Sequence, residues 1–467
     1  MFARPGAELA LPGAELAVSG GARLAGRPRF AGLVQNQPVT VTANALPGAR
    51  KAVLSWALWD WGASAFSSVI LTFVFTVYLT DGVATDTESG SQALGIALTI
   101  AGVAVALLAP VTGQRSDVGG RRKLWLGIHS AIAIACTAGL FFVRDEPSYL
   151  LAGLVLLAVG SVFFEFAEVN YNAMLVQVST PKTMGRVSGF GWGMGYFGSV
   201  IALAIVLFAF VQPDVGLFGV TSEGGLNIRA VALFVAVWFA LFALPVLLFV
   251  PENPPSGERA RGNFFSGYAV LAKRLAALWR TDRRTLWFLA ASAIYRDGLT
   301  AIFTFGGVVA AGTFGFSQAE VVLFAIVANV TAGVGAVSGG RLDDRLGPKT
   351  VIVTSLVALV VFGVALTALP GKATFWVCGL CLSVFLGPAQ AASRTFLARI
   401  VEPEREGEAF GLYATTGRAV SFLGPLAFSG FIAIFGSQRA GMAGIVLILA
   451  AGLAAILPVR APARHDG

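Results

Sequence analysis

The apolar segment Leu286–Gly312 carries two full charges at its centre, Arg296 and Asp297, beside Tyr295 and Gly298. A guanidinium there can hold a solute carboxylate through two hydrogen bonds, or it can pair with a carboxylate such as Glu165 or Glu168. A carboxylate there can bind and release a proton, which makes proton coupling available. Neighbours in a helix point about 100° apart, so the two charges cannot neutralise one another face to face. At least one of them must face another helix, a cavity or a ligand.

Other polar side chains recur in apolar segments at helical spacing. Glu165 and Glu168 stand at i and i+3, Asn172 continues their face one turn later, and Gln390 and Arg394 stand at i and i+4. Charged groups inside a bilayer are costly and usually face a cavity or a partner. We therefore expect a substrate or coupling cavity formed by Asp60, Glu165, Glu168, Asn172, Tyr295, Arg296, Asp297, Gln390 and Arg394.

Structural roles are the alternative for several of these charges. Asp60, Glu165, Glu168 and Arg394 can form an ion-pair network near the cytoplasmic mouth of the protein, and Arg418 is expected to be structural. Asp297 is expected to be functional, in which case Asp297→Asn folds but loses the activity that this carboxylate serves. Three tryptophans at the start of the first spanning segment predict an interfacial aromatic belt, with the lining of a cavity mouth as the alternative: Trp56, Trp59 and Trp61.

Metal, redox and nucleotide chemistry have little support in the sequence. Cys378 and Cys381 form a C-x-x-C pair, but it lies in an apolar run without a second ligand pair, where cysteines usually pack as small apolar residues. Gly193–Gly198 fits G-x-G-x-x-G, yet no strand precedes it and no βαβ unit surrounds it. We expect no cofactor and no metal.

The composition is that of an integral membrane protein. Of the 467 residues, 56% are hydrophobic and 12% are charged, whereas a soluble domain carries about 25% charged residues. The net charge of +8 does not indicate nucleic acid, because membrane proteins collect Lys and Arg in their cytoplasmic loops. Many segments reach the roughly 20 apolar residues of a spanning helix. The partner that this composition predicts is the lipid bilayer.

Segment lengths predict twelve spanning helices in two halves. The segments lie near 54–80, 92–112, 124–143, 149–174, 187–211, 230–250, 286–312, 319–339, 349–369, 374–398, 409–434 and 440–458. A basic linker at 251–285, with an amphipathic second half suited to a membrane surface, separates the halves 50–250 and 286–458. Residues 1–49 are predicted to be a disordered tail and 459–467 a second tail. Lys and Arg collect on alternate loops, which predicts that both termini are cytoplasmic.

Two similar motifs stand 227 residues apart, at equivalent places in the two halves. "GQRSDVGGRRK" (Gly113–Lys123) and "GRLDDRLGPKT" (Gly340–Thr350) are predicted to be tight loops, and the repeat indicates pseudo-symmetry. A carboxylate in such a loop can meet a helix N-terminus or a basic partner in one conformation only. We expect a conformational latch built from Gly113, Asp117, Gly120, Arg121, Arg122, Gly340, Asp344, Arg345 and Gly347. Asp117→Ala would then shift the labelling of cysteines placed at the cytoplasmic mouth.

Both motifs resemble the loop signature G-x-L-x-D-R-x-G-R-R-K of the major facilitator superfamily, although Arg115 and Val118 depart from it in the first copy. A finer resemblance, to the UMF1 family and the related autophagy-associated vacuolar amino-acid effluxers, rests on "WALWDWGASAF", "EVNYNAML", "GRVSGFGWGMGYFGS", "YRDG", "QAASRTFLARIVEP" and "EAFGLYATTGRAVSFLGPLAF". The resemblance implies an all-α membrane protein of two pseudo-symmetric six-helix halves. It also implies a central cavity lined by the first, fourth, seventh and tenth helices.

A secondary transporter is the function that this resemblance implies. Its two halves would rock about a midplane site and move a small solute, with an amino acid or related metabolite as candidate and H⁺ or another ion as the coupling partner. We expect a monomer in a bacterial plasma membrane. A membrane-embedded enzyme acting on lipid and a non-transporting receptor are the alternatives. The first lacks a His or Cys partner for Glu165 and Glu168, and the second lacks a soluble output domain.

Overall fold

The computed structural model describes residues 47–119, 121–179, 184–251, 266–401 and 406–461, and every regular element within these ranges is helical. In the first half, α1 is Pro47–Ala65 with a continuation to Val83, α2 is Thr87–Gly119, α3 is Arg122–Gly139, α4 is Leu150–Ala173, α5 is Met184–Val206 and α6 is Leu226–Phe249. A linker helix, α7, is Ser266–Thr281. In the second half, α8 is Arg283–Gly312, α9 is Gln318–Leu346, α10 is Pro348–Ala368, α11 is Lys372–Ile400, α12 is Glu406–Ala419 followed by Leu423–Phe435, and α13 is Gln438–Ile456.

Eleven helices of the described residues are long and apolar enough to cross a membrane. They are α1–α6 and α9–α13. The remaining long helix, α8, spans 30 residues, about 45 Å at 1.5 Å per residue, and therefore also has the length to cross. It is less apolar because Arg296 and Asp297 lie in its middle. The prediction of an all-helical membrane protein is confirmed.

The two halves repeat one packing scheme. In the first half α1 packs on α5 and α6, α4 packs on α2 and α3, and α3 also packs on α6. In the second half α8 packs on α12 and α13, α11 packs on α9 and α10, and α10 also packs on α13. Adding seven to each helix number converts the first set into the second, as the internal repeat predicts. Between the halves, α2 packs on α12, α5 on α9, and α1 on α8.

The second part of α1 departs from a regular α-helix. Residues Phe66–Phe73 and Tyr78–Val83 form π-helical turns, and Phe75–Val77 is a single α-helical turn between them. The Thr72 hydroxyl donates to the Ser67 carbonyl (2.8 Å), which satisfies one backbone acceptor within the wide turn. π-helical turns are rare and are frequent at functional sites. The turn Phe66–Phe73 lies where α1 packs against α8 of the second half.

The loop prediction for the two motifs is wrong over most of their length. Helix α2 continues through Gly119, and α9 continues through Leu346. Glycine costs a helix only about 1 kcal/mol per residue, and tertiary context can override a preference of that size. A turn remains at Gly347, whose φ of 83° lies in the left-handed region that favours glycine. Gly120 lies outside the described residues. The amphipathic helix predicted in the linker is present as α7, while residues 252–265 lie outside the described ranges.

Close packing between α9 and α11 depends on a glycine. A Cβ added at Gly335 would overlap the backbone carbonyl of Val384, whereas a Cβ at Gly333, half a turn away, would meet open space. Gly335→Ala should therefore destabilise the protein by about 1–3 kcal/mol, because the two backbones must separate. Gly333→Ala, the matched control, should leave the thermal unfolding midpoint in detergent unchanged. Equal midpoints for the two variants would contradict the packing described.

Candidate functional site: a cavity between the two halves

A cavity of about 400 Å³ lies between the two halves. Six helices contribute to its lining: α1, α4 and α5 from the first half, and α8, α9 and α11 from the second. Its volume falls within the roughly 300–1,000 Å³ of small-molecule sites. Of the residues predicted from the sequence, the structure places these in the lining: Asp60, Glu165, Glu168, Asn172 and Gln390.

The charged groups of this lining all have one sign. Asp60, Glu165 and Glu168 are acidic, and no Lys or Arg belongs to the lining among the described residues. Asp60 lies on α1 opposite Gly195 of α5, where an added Cβ would stand 3.1 Å from the carboxylate. The described part of the chain provides Asp60 with no hydrogen bond and no ion pair. The Asp60 carboxylate is therefore available to a ligand in the cavity.

An ion-pair cluster beside the cavity joins the halves. The Arg418 guanidinium on α12 donates to the Glu165 carboxylate of α4 (3.2 Å), and its Nη2 lies 3.5 Å from Glu168. All three side chains keep partial exposure, 17% for Arg418, 39% for Glu165 and 34% for Glu168. Sequence reasoning left Arg418 out of the site. The signal that could have found it is a lone arginine in an otherwise apolar spanning segment.

Aromatic side chains form the wall beside Asp60. The Tyr171 ring is stacked between Trp56 (centroids 4.5 Å apart) and Trp59 (4.4 Å). The Trp56 indole donates to the Tyr171 carbonyl (3.1 Å), and that of Trp59 donates to the Ser130 hydroxyl (3.1 Å). Trp56 and Trp59 are 2% and 1% exposed, so the prediction of an interfacial aromatic belt is wrong for these two. They fix the orientation of Tyr171 instead.

The "YRDG" residues do not line the cavity. Tyr295 is fully buried, its hydroxyl is hydrogen-bonded to Ser393 (2.6 Å), and its backbone packs against Gly452. The Arg296 guanidinium lies 3.8 Å from the centre of the Tyr413 ring and donates to the Tyr413 carbonyl (3.0 Å). Both residues therefore contact helices of their own half.

Asp297 marks the break in α12. Its carboxylate accepts a hydrogen bond of 2.5 Å from the backbone N–H of Gly424, at the start of the segment Leu423–Phe435. The first amides of a helix lack intrahelical partners, and a carboxylate is a favourable acceptor for them. Asp297 is 6% exposed. The structure thus gives Asp297 a backbone partner and places it outside the cavity lining.

Arg394 lies at the edge of the site. Its guanidinium is 4.7 Å from the centre of the Trp192 ring, and Trp192 lines the cavity. Arg394 belongs to α11 and Trp192 to α5, so this cation–π contact is a second bridge between the halves. The guanidinium keeps exposed surface and can meet an anionic group.

The predicted latch residues are described only in part. Gly113, Asp117, Gly340 and Asp344 belong to helices, but their side chains lie outside the described set, as does Gly120. Arg121 and Arg345 are exposed, and Arg122 donates to the Ala173 carbonyl at the end of α4 (2.8 Å).

The buried carboxylate of the second motif is Asp343, which sequence reasoning missed. It accepts from the Thr395 hydroxyl, and Arg399 lies 3.4 Å away. Both partners belong to α11. The signal available in the sequence was the pair Asp343–Asp344, in which only the helix orientation decides which carboxylate is buried.

A family model described as "Vacuole effluxer Atg22 like" matches residues 82–463. The chain belongs to this family. A Bacillus subtilis relative, the MFS-type transporter YxiO, is 28% identical over 408 residues, which cover 85% of this chain and 92% of that protein. Autophagy-related protein 22-1 of Aspergillus fumigatus is 24% identical over 52% of this chain and 43% of its own length.

Solved structures agree on the fold of this Atg22-like chain. A D-xylose-proton symporter superposes with a TM-score of 0.65 at 13% identity, covering 89% of this chain and 97% of that one. A mutant form of the nucleoside transporter NupG superposes with a TM-score of 0.63 at 13% identity, covering 88% and 98%. The Atg22-like chain is therefore an integral membrane protein of the major facilitator fold, as its sequence predicts.

Proposed function

We propose that the protein is a secondary active transporter that moves a small solute, an amino acid or a related metabolite, across the membrane by alternating access. The observation that carries the proposal is the position of the cavity. It lies between two halves of one packing scheme, and helices of both halves line it. A site of this kind can be exposed to one side or the other when the halves rock. The vacuole-effluxer family and the MFS-type relative support the same function.

The driving force is an ion gradient or the gradient of the solute itself. The sequence contains no G-x-x-x-x-G-K-[ST] phosphate loop. Three cavity carboxylates can carry a proton or bind another coupling cation. The excess of Lys and Arg on alternate loops supports an orientation in a bacterial plasma membrane with both termini in the cytoplasm.

Transport is tested with the purified full chain in proteoliposomes. Radiolabelled amino acids, sugars and nucleosides are loaded one at a time, and their flux is measured with an imposed proton gradient, without one, and after an ionophore collapses it. At least one solute should cross faster than through protein-free liposomes. Flux equal to that of protein-free liposomes for every solute, from protein that is folded by its thermal transition, would refute the proposal.

Polar contacts close the cavity at the end where α1 finishes, which the proposed orientation makes the outer end. The buried Gln438 donates to the Ser91 hydroxyl of α2 (2.6 Å) and accepts from Thr313 beyond α8 (2.7 Å). Gln318 of α9 donates to the Phe73 carbonyl in the π-helical part of α1 (3.1 Å). The Gln438–Ser91 and Gln318–Phe73 bonds join the two halves at this end, and the Thr313 bond holds the Gln438 side chain in place.

Gln438→Leu should weaken this closure, because it leaves the Ser91 and Thr313 hydroxyls without their partner. An impermeant maleimide added from outside should then modify a cysteine placed at Thr304, inside the cavity, about threefold faster. The background carries alanine at the native cysteines Cys136, Cys378 and Cys381. Gln212→Leu, at an exposed position beyond α5, serves as the control. An unchanged labelling rate would show that Gln438 does not hold the outer end closed.

A further inference from the structure

We propose that the acidic wall of the cavity, formed by Asp60, Glu168 and Tyr171, binds the protonated amine of the transported solute. The inference rests on the proposed transport function and names the group by which the solute is recognised. It starts from the charge of the lining, which holds three carboxylates and no basic side chain among the described residues. A site of one sign favours a ligand of the opposite sign.

The three carboxylates are not equivalent. Arg418 pairs with Glu165 and Glu168, whereas Asp60 has no cationic partner in the described chain. Asp60 and Glu168 line the same cavity. Even with Arg394 at the edge of the site, the three carboxylates of the lining outnumber the two nearby guanidinium groups, and Arg418 is shared by the two glutamates. An ammonium group there would donate charge-assisted hydrogen bonds to the Asp60 carboxylate.

A second, independent observation concerns Tyr171. Its side chain lines the cavity and is 4% exposed, yet its hydroxyl has no hydrogen-bond partner among the described residues. Buried hydroxyls are normally paired, and leaving one unpaired costs about 1–3 kcal/mol. The stacked rings of Trp56 and Trp59 fix the orientation of Tyr171, and Asp60 and Glu168 belong to the same cavity lining. An incoming N–H donor would supply the missing partner.

The surroundings favour an organic cation over a metal ion. The described residues contain no group of three or more His, Cys, Asp or Glu placed to hold a metal. The cavity of about 400 Å³ is far larger than a single ion requires. Apolar and aromatic residues of the lining, among them Leu71, Phe164 and Leu299, can cover the carbon skeleton of a solute while its amine meets Asp60.

The test is a thermal-shift experiment on the purified full chain with matched probes. Each proteinogenic amino acid is compared with its amide, which keeps the amine, and with its deaminated acid, which keeps the carboxylate. Leucine, leucinamide and 4-methylpentanoate form one such set. We expect stabilisation by at least one amine and by its amide, and none by the deaminated acid. Stabilisation by the deaminated acid, by sodium chloride alone, or by no amine would overturn the assignment.

Two variants locate the effect. Asp60→Asn should weaken amine binding about tenfold or more. Glu88→Gln, which also replaces a carboxylate by an amide but at an exposed position, should leave amine binding unchanged. Tyr171→Phe keeps the ring stack and removes only the unpaired hydroxyl. It should leave the ligand-free midpoint unchanged or raised and reduce amine affinity several-fold, about 1 kcal/mol per hydrogen bond. A merely structural Tyr171 would change the midpoint and not the affinity.

The failure of this inference is distinguishable from the failure of the transport proposal. If Asp60→Asn binds amines like the native protein and loses only the proton dependence of flux, Asp60 serves the coupling ion and the amine assignment is wrong. If amine-free solutes alone cross proteoliposome membranes, transport stands and the amine assignment falls. If amines bind and nothing is transported, the binding site stands and the transport proposal falls.

Discussion

Arg418→Gln should lower gradient-driven flux about tenfold or more. The reason is that the arrangement of the halves in which Arg418 pairs with α4 loses this ion pair. The Arg418 guanidinium is the described group that joins α12 to the carboxylates of Glu165 and Glu168 on α4. Without it the two carboxylates repel one another, and the arrangement in which α4 and α12 approach loses stability. The flux in proteoliposomes and the thermal midpoint of the same preparation are the measurements.

The controls separate charge from shape. Arg418→Lys keeps the charge, loses the planar two-point geometry and should retain intermediate flux. Arg460→Gln removes an arginine from an exposed position at the end of the described chain and should leave flux unchanged. Native flux from Arg418→Gln, at an unchanged thermal midpoint, would show that the ion pair has no part in the transport cycle.

Asp297→Ala should destabilise the protein by about 1–3 kcal/mol and reduce flux in proportion to the loss of folded protein. The carboxylate accepts from the Gly424 amide at the break in α12, and removing it leaves that buried N–H without a partner. Asp297→Asn still offers a side-chain oxygen, so it should keep most of the stability and most of the flux. The measurements are the unfolding midpoint and the initial flux of each variant.

This expectation reverses the one drawn from the sequence, in which Asp297→Asn folds and loses transport. The asparagine variant separates a structural role of Asp297 from a role in proton coupling, because it preserves the hydrogen-bond acceptor and cannot release a proton. A stable Asp297→Asn that has lost proton-driven flux would restore the coupling role for Asp297. Asp145→Ala, in an exposed connection between α3 and α4, is the control for both substitutions.

The two groups of contacts that join the halves have different physical characters. At the end proposed to face outward, neutral hydrogen bonds of Gln438 and Gln318 join the halves, whereas the contact beside the acidic wall is an ion pair. A cationic solute that approaches Glu168 competes with Arg418 for the same carboxylate. Binding would therefore weaken the contact that joins α12 to α4, which offers a physical route from occupancy to movement of the halves.

Much of the fold could be predicted from the sequence, because membrane insertion depends on local properties. Segment length and apolar composition identify spanning helices wherever the chain lies in space, and the repeat of Gly113–Lys123 at Gly340–Thr350 indicates two halves. The intramembrane cost of charge likewise directs attention to Asp60, Glu165 and Glu168 before any packing is known. The structure places all three in the cavity lining.

The direction in which each charge faces was decided only by the tertiary structure. The apolar residues of helix α8 are spread around its whole circumference, so periodicity does not indicate which side of it faces the cavity. In the structure both Arg296 and Asp297 turn toward α12. The pairing of Arg418 with Glu165 joins residues 253 positions apart, a distance over which local sequence carries no information. The burial of Asp343 also depends on how α9 is rotated against α11. Composition and spacing therefore determine that charges enter the membrane, and helix packing determines what each of them contacts.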